Sequence, residues 1–206
     1  MDRICVIGDS ITHGTGDELK QGWPGVLFPK YPQLTVYNLG VRADTSELIS
    51  NRWKQEAQAR LPHQTQCGII FAFGTNDSVI QIDHGIRVEI EKSVNIAKNI
   101  LIKAKEWVPV LWIGPIPVID EMQPFNSEAG VYDFNNSRIA AYNEAYVLLA
   151  RDINISYLDL FTPLSSNARW QESQRSNDGV HPKNEGYQEI ANIVHSWADF
   201  HDFMAI

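Results

Sequence analysis

The amino-acid sequence predicts an α/β protein, a three-layer α/β/α sandwich built on a parallel five-stranded sheet. Five short apolar runs bounded by turn residues are typical of strands buried on both faces. Segments with helical periodicity lie between these runs, and such alternation implies parallel strands joined by right-handed crossovers. The chain has 206 residues, and we see no linker, repeat or low-complexity tract. Because one hydrophobic core can grow to about 250 residues, we expect a single domain over 1–206.

The predicted strands coincide with the five apolar runs, which Gly, Asn and Asp close. They are Ile4–Ile7, Leu34–Leu39, Gly68–Phe73, Val108–Ile113 and Ile155–Leu160.

Four segments between and after these strands are predicted helices. Apolar residues recur at steps of three and four from Ile86 to Ala104, which gives that helix one apolar face. The same spacing appears from Ile139 to Leu149 and from Tyr187 to Trp197, whereas Thr45–Leu61 is less regular.

Two long connections are predicted as loops, from Gly114 to about Phe134 and from Phe161 to Pro182. Loops longer than about 12–15 residues are often functional. In open α/β sheets, ligands bind outside the carboxyl ends of the strands, and both loops leave from that edge.

Composition excludes several classes of function. The formal net charge is −8 and no Lys/Arg cluster offers a basic face, so we expect no nucleic-acid partner. No apolar stretch approaches the roughly 20 residues of a membrane span, and the run Ile4–Ile7 is too short for a signal peptide. We therefore expect a cytoplasmic protein without stable membrane insertion.

Metal and cofactor chemistry is also not expected. Cys5 and Cys67 are too few for a disulfide framework or a Cys-rich zinc site, and we interpret them as free thiols of the core. No histidine pair has the spacing and carboxylate neighbours of a metal site.

Four polar segments follow predicted strands or end the last long loop, so they map to one edge of the sheet. These segments are Gly8-Asp9-Ser10, Asn38-Leu39-Gly40, Gly74-Thr75-Asn76-Asp77 and Asp178-Gly179-Val180-His181. Their convergence predicts an active site at that edge.

Ser10, His181 and Asp178 are the types of residue that nucleophilic catalysis needs. A serine hydroxyl is a weak nucleophile until a base accepts its proton, and histidine can take and return that proton near neutral pH. A carboxylate on the other ring nitrogen fixes the tautomer of the histidine. Asp178 precedes His181 by three residues, so one turn can hold both side chains together.

An ester-cleaving site also needs donors for the oxyanion of its tetrahedral intermediate. The backbone N–H groups of Ser10 and Gly40 and the side-chain amide of Asn76 are candidates, because glycine allows a close backbone approach. Asn76 could instead simply cap a turn.

Two neighbours of Ser10 need a separate interpretation. Asp9 is interpreted as structural, because a free carboxylate beside the nucleophile would hinder it, and Asp77 is interpreted as a turn or supporting residue. His13 lies three residues after Ser10 and is an alternative base, although it has no acid of its own nearby in the sequence.

These segments resemble the conserved blocks of the SGNH hydrolases, also called the GDSL esterase/lipase family. Gly8-Asp9-Ser10 resembles the first block, with Ile11 where the shorthand has Leu, and Gly40 resembles the glycine of the second. Gly74-Thr75-Asn76-Asp77 and Asp178-Gly179-Val180-His181-Pro182 resemble the third and fifth. The resemblance implies a flavodoxin-like sheet of order 2-1-3-4-5 and ester hydrolysis without a metal or organic cofactor. It also assigns Ser10, Gly40, Asn76 and His181 the roles given above.

One departure from the family concerns substrate binding. Where the family often has a small residue and a Thr or Ser after Gly40, this chain has Val41 and Arg42. Arg42 either contacts the substrate or is merely solvated. Phe125 and Trp170 are further substrate-binding candidates that could equally close the core, as could Tyr132 and Phe134.

The sequence therefore predicts a serine hydrolase that cleaves small carboxylic esters, with an acetyl ester of a carbohydrate favoured over lipid-type esters. The partner is then a small-molecule ester. Two alternatives use the same fold, a non-catalytic binding module and an acyltransferase with the same triad.

Overall fold

A parallel sheet of five strands forms the centre of the computed structural model, which describes residues 1–206. The nine strands of the chain are β1 (Arg3–Gly8), β2 (Thr35–Gly40), β3 (Cys67–Ala72), β4 (Ile80–Gln81), β5 (Gly85–Ile86), β6 (Val110–Ile113), β7 (Phe125–Ser127), β8 (Gly130–Asp133) and β9 (Ser156–Leu158). The central sheet has the order β2-β1-β3-β6-β9. This confirms the predicted α/β class and the 2-1-3-4-5 order of its parallel strands.

Helices cover both faces of the sheet. They are α1 (Ser10–His13), α2 (Gly22–Leu27), α3 (Ser46–Gln58), α4 (Ile90–Lys105), α5 (Asn136–Asp152), α6 (Phe161–Ser165), α7 (Ala168–Arg175), α8 (Asn184–Ser196) and α9 (Ala198–Met204). None of these helices has the length and apolar character to cross a membrane.

The hydrophobic core is divided by the sheet, because successive side chains of a strand point to opposite faces. Ile4 and Val6 of β1 pack with residues of α2 and α8 in one cluster of 24 buried residues. Cys5 and Ile7 pack with residues of α3, α4 and α5 in a second cluster of 21. Alternate residues of β1 therefore contribute to the two clusters on opposite faces of the sheet.

Two of the predicted strands are less buried than expected. Every residue of β2 and β9 is exposed or half-buried, because these strands form the two edges of the central sheet. The prediction of burial on both faces is correct for the interior strands β1 and β3 and wrong for these edges.

The two long connections are also more ordered than predicted. The first carries β7 and β8, which join β4 and β5 in an antiparallel sheet of order β5-β4-β8-β7. The second carries α6 and α7. Ile86 belongs to β5, so α4 begins at Ile90 and not at Ile86 as predicted.

Candidate active site

Ser10 lies where the first strand turns into a helix. β1 ends at Gly8, and Asp9 caps α1 by accepting a hydrogen bond from the Ile11 N–H at 2.9 Å. Ser10 is the first residue of α1, where backbone N–H groups have no acceptor inside the helix. The Ser10 hydroxyl and N–H are therefore presented together at the carboxyl edge of the sheet.

His181 and Asp178 reach the same point from the loop between α7 and α8. The Ser10 Oγ lies 2.9 Å from the His181 Nε2, and the His181 Nδ1 lies 2.7 Å from the Asp178 Oδ2. Ser10 and His181 are 7% and 6% exposed. The structure thus brings together three side chains separated by as many as 171 positions along the chain.

The electrostatics of Asp178 fix the direction of these hydrogen bonds. Burial raises the pKa of Asp178, but hydrogen bonds from His181 and its charge outweigh burial, so the net pKa lies below the usual value. The carboxylate is therefore ionised and only accepts hydrogen bonds. The Nδ1 of His181 must then donate, which leaves Nε2 of the neutral ring to accept the Ser10 proton.

The loop that carries His181 is tied down at several points. The second oxygen of Asp178 accepts hydrogen bonds from the N–H groups of Val180 and His181, at 2.9 and 2.7 Å. The Asn177 amide donates to the His181 carbonyl at 2.9 Å. Gln174 is fully buried, and its Nε2 donates to the carbonyls of Pro117 and Val180 at 2.9 and 2.7 Å.

Asn76 contacts Asp9, the residue before Ser10. Its Nδ2 donates to the Asp44 carbonyl at 2.9 Å and to the Asp9 Oδ2 at 3.3 Å. Burial raises the pKa of Asp9 to about 6. Asn76 is 7% exposed, so its amide is held between two acceptors in a nearly dry position.

The backbone N–H of Gly40 is not free to serve an oxyanion. It donates to the Asn38 Oδ1 at 3.0 Å. A side chain at this position would meet the backbone of His13 at 2.2 Å. Glycine is therefore required here for close packing of β2 against α1. The prediction that the Gly40 N–H is an oxyanion donor is wrong, because this N–H is already bonded to Asn38.

Ala43 offers a free donor a few residues further on. Its φ is +63°, a left-handed conformation that is uncommon for residues other than glycine. The Ala43 N–H has no acceptor in the chain, while its carbonyl accepts a hydrogen bond from Arg87 at 2.7 Å. The next carbonyl, that of Asp44, accepts from Asn76, which places this turn beside the Asn76 amide.

The three predicted substrate-binding residues have different surroundings. The Phe125 ring meets the His181 ring edge-on, with centroids 5.8 Å apart. Arg42 is exposed and forms no ion pair within the chain. Trp170 is 0% exposed in the core and its indole N–H points to the Pro117 carbonyl at 3.4 Å. The interpretation of Trp170 as a substrate contact is therefore wrong, because no substrate can reach it.

Two other polar residues from the sequence analysis, His13 and Asp77, do not contact the Ser10 hydroxyl. His13 Nδ1 is buried without a hydrogen-bond partner, and the Ser10 hydroxyl faces His181 instead. Asp77 is fully buried and accepts hydrogen bonds from the Ser46 N–H at 2.7 Å and from the Ser93 hydroxyl. No three His, Cys, Asp or Glu side chains lie close enough together to hold a metal ion.

Sequence reasoning missed Ala43, Gln174 and two arginines. Arg52 donates to the Asp44 carboxylate at 2.7 Å and to the Gly8 carbonyl at 3.0 Å, joining two turns of the site. Arg87, which follows the segment Gly74-Thr75-Asn76-Asp77 in the sequence, donates a hydrogen bond to the Ala43 carbonyl. A single arginine in a polar stretch gives no sequence signal for such contacts, and a left-handed alanine gives none at all.

The sequence of this chain is similar to one known protein family. The profile of the GDSL-like Lipase/Acylhydrolase family matches residues 6–189, which includes Ser10, Asn76, Asp178 and His181. A search of functionally curated proteins finds no match.

Similar solved structures share the fold at low sequence identity. A lipase/acylhydrolase from Enterococcus faecalis has 18% identity and a TM-score of 0.74, with 94% of this chain and 93% of that chain covered. A member of the lipolytic protein G-D-S-L family from Veillonella parvula has 18% identity and a TM-score of 0.70, covering 97% and 99%. The psychrotrophic esterase EstA from Pseudoalteromonas sp., in a structure inhibited by monoethylphosphonate, has 14% identity and a TM-score of 0.69, covering 95% of both chains.

Proposed function

Because the chain belongs to the GDSL-like lipase/acylhydrolase family and is thus a carboxylic ester hydrolase, we propose that it cleaves small acyl esters through an acyl-enzyme on Ser10. One observation carries the proposal. Asp178, His181 and Ser10 form an unbroken line of hydrogen-bond contacts of 2.7 and 2.9 Å. These distances lie within the range in which a base can accept the proton of a nucleophile.

In the acylation step, the proton moves from Ser10 to His181. The Ser10 Oγ attacks the ester carbonyl carbon while its proton passes to the His181 Nε2, and Asp178 stabilises the imidazolium that forms. Collapse of the tetrahedral intermediate breaks the bond to the alcohol. His181 gives its proton to the departing oxygen, which leaves the acyl group on Ser10.

Deacylation repeats the cycle with water. His181 accepts a proton from a water molecule as its oxygen attacks the acyl carbon, and the proton then returns to the Ser10 Oγ. The products are the carboxylic acid and the free enzyme, so no cofactor enters the balance.

The proposed oxyanion donors are the N–H of Ser10, the N–H of Ala43 and the amide of Asn76. The first two have no acceptor within the chain, and the third makes a long 3.3 Å contact with Asp9 for which an oxyanion would compete. Each such donor contributes about 10²- to 10³-fold to kcat in other hydrolases.

Low exposure of the two reacting groups supports a small acyl group such as acetyl. Ser10 and His181 are 7% and 6% exposed, and Phe125 covers one edge of the imidazole. A short acyl group fits this limited access better than a long chain does. The small partner molecule is accordingly an acetyl or short-chain ester.

The test measures p-nitrophenyl acetate hydrolysis by the wild type and by Ser10→Ala and His181→Ala. We expect kcat to fall at least about 10³-fold in each variant, because the residues act as a unit. A fluorophosphonate probe should label the wild type at Ser10, as read by mass spectrometry of its peptides.

The matched control is Ser50→Ala, which removes an exposed hydroxyl on α3 and should retain both hydrolysis and labelling. Circular dichroism verifies that all variants are folded. Hydrolysis that persists in folded Ser10→Ala would refute the proposal.

A further inference from the structure

Three side chains form a row from the His181 ring to the Ala43 turn. Phe125 touches the His181 ring at one end. Tyr132 lies directly opposite Phe125 in the antiparallel register of β7 and β8, so the two rings share one face of that sheet. Arg87 lies over the Tyr132 ring, with 5.8 Å between its guanidinium carbon and the ring centroid. Its Nη2 donates to the Ala43 carbonyl at the other end.

Each end of this row is linked by hydrogen bonds to Ser10 or to its neighbour Asp9. His181 is bonded to the Ser10 hydroxyl. Ala43 precedes Asp44, whose carbonyl holds Asn76, and Asn76 contacts Asp9 next to Ser10. The row Phe125–Tyr132–Arg87 therefore connects the His181 ring with the Ala43 turn, and an ester bound at Ser10 would lie beside it.

Arg87 is a half-buried cation that forms no ion pair, although the charges of Asp77, Asp44 and Asp9 act on it from a greater distance. Its side chain makes one hydrogen bond, from Nη2 to a neutral carbonyl, and none of the ion pairs of the structure includes it. Its Nε and Nη1 donate to nothing in the chain. Asp44, the acid nearest along the Ala43 turn, is already paired with Arg52 at 2.7 Å.

The position of Arg87 is fixed in advance of any ligand. The Tyr132 ring beneath the guanidinium and the Ala43 carbonyl at its edge restrict its rotamers, and guanidinium groups stack favourably on aromatic faces. An ordered guanidinium with free N–H groups matches the planar, two-oxygen geometry of a carboxylate.

We propose, on the basis of the proposed function, that the substrates of this esterase carry a carboxylate and that Arg87 binds it. The carboxylate belongs either to the acyl group or to the alcohol of the ester. Binding on either side would supply the direct ion pair that Arg87 lacks within the chain.

The experiment compares matched pairs of esters. For the alcohol side, the pair is 4-acetoxybenzoate and its neutral methyl ester. For the acyl side, it is mono(4-nitrophenyl) glutarate and its neutral methyl ester, with the uncatalysed rate subtracted. We expect the wild type to favour the carboxylate in one pair by about tenfold or more in kcat/KM, as a charge-assisted hydrogen bond provides.

Arg87→Gln should lower this preference about tenfold, and Arg87→Lys should retain part of it. The readout is the ratio of kcat/KM between the two esters of a pair. Arg87 also holds the Ala43 carbonyl, so replacing Arg87 can lower the rates for both esters without changing their ratio. Raising the ionic strength from about 0.02 M to about 0.5 M should shrink the wild-type ratio.

The control is Arg169→Gln, which removes the same charge from an exposed site on α7 where Arg169 pairs with Glu189. Its ratio should equal that of the wild type. Equal rates within both pairs, with Ser10-dependent hydrolysis of the neutral esters intact, would overturn this inference alone. Absence of Ser10-dependent turnover of every ester would overturn the inference and the proposed function together.

Discussion

Asp9 shows how a carboxylate can lie beside a nucleophile without disabling it. It is 4% exposed, and its oxygens accept hydrogen bonds from the Ile11 N–H and from Asn76. Burial raises the pKa of Asp9 from an ordinary 3.8 to about 6. Its negative charge is thus directed at two N–H donors, and the Ser10 hydroxyl faces His181 on the other side.

The raised pKa predicts a pH-dependent stability for Asp9→Asn. Between pH 3.8 and about 6, the native state holds a proton that the unfolded chain has lost, so this group makes stability fall as pH rises through that window. A difference of about two pKa units corresponds to about 3 kcal/mol. The free energy of unfolding of Asp9→Asn, relative to the wild type, should therefore rise by about 3 kcal/mol between about pH 4 and about pH 7.

Urea unfolding at several pH values measures this difference. Asn has one acceptor oxygen where the carboxylate has two, which costs about 1 kcal/mol at every pH and does not alter the slope. A difference between the two proteins that stays constant over the whole range would show that folding does not raise the pKa of Asp9.

Residues whose role depends on local chain order were predictable from the sequence. Ser10 follows a buried strand, and Asp178 and His181 share one turn, so strand ends and spacing were sufficient to bring them to one edge. Gly40 and Trp170 were misassigned because their roles depend on packing, against the His13 backbone and within the core. Packing partners from distant segments leave no local pattern.

At the scale of elements, α7 holds the loop that presents His181. Gln174 of this helix donates to the Pro117 and Val180 carbonyls, and its own carbonyl accepts the N–H groups of Asn177 and Gly179, both at 3.0 Å. The side chain thereby joins the loop after β6 to the loop of His181. Correct placement of the imidazole thus depends on a residue that does not touch Ser10.

Replacement of Gln174 by Met tests this link. Two buried carbonyls lose their donor, while the change also removes an Oε1 that has no partner. We expect the free energy of unfolding to fall by about 1–3 kcal/mol. We also expect kcat for p-nitrophenyl acetate to fall more than KM changes, since a displaced His181 affects proton transfer rather than substrate binding.

Gln171→Met on the same helix is the matched control, because Gln171 donates only to the exposed Ser165 carbonyl at 2.7 Å. Its unfolding free energy should stay within about 0.5 kcal/mol of the wild type, with kcat unchanged. Equal losses in both variants would mean that Gln174 has no particular role in holding the loop.

The central elements were predictable, and the small antiparallel sheet was not. Runs such as Ile4–Ile7 contain enough apolar residues to mark a strand, and α4 shows a clear helical period. By contrast, β4 and β5 have two residues each and β7 has three, which is too short for any alternation to be visible. This sheet carries Phe125 and Tyr132. The sequence offered both residues as substrate-binding candidates, but it did not predict that they pair in one sheet or that Arg87 lies over the Tyr132 ring.

At the scale of the whole molecule, the central sheet links the two hydrophobic clusters. Each interior strand contributes alternate side chains to both clusters, as Ile70 and Ile69 of β3 do. A loss of packing on one face therefore disturbs the strands on which the other face depends. We infer that the chain unfolds as one cooperative unit, which is the behaviour of a single domain.

Core truncations on the two faces test this cooperativity. Ile190→Ala in α8 and Leu101→Ala in α4 each remove a fully buried side chain and should lower the free energy of unfolding by about 2–5 kcal/mol. Because the sites lie on opposite faces of the sheet, the double variant should lose the sum to within about 0.5 kcal/mol. Far-UV circular dichroism and tryptophan fluorescence should report one coincident transition in every variant, since Trp170 lies in one cluster and Trp53 in the other.

The control is Leu148→Ala, which truncates a side chain on a residue that is 66% exposed and should change stability by less than about 0.5 kcal/mol. If Ile190→Ala shifted only part of the fluorescence change and left the rest at its wild-type midpoint, the two faces would be separate folding units, and the sheet would not couple them.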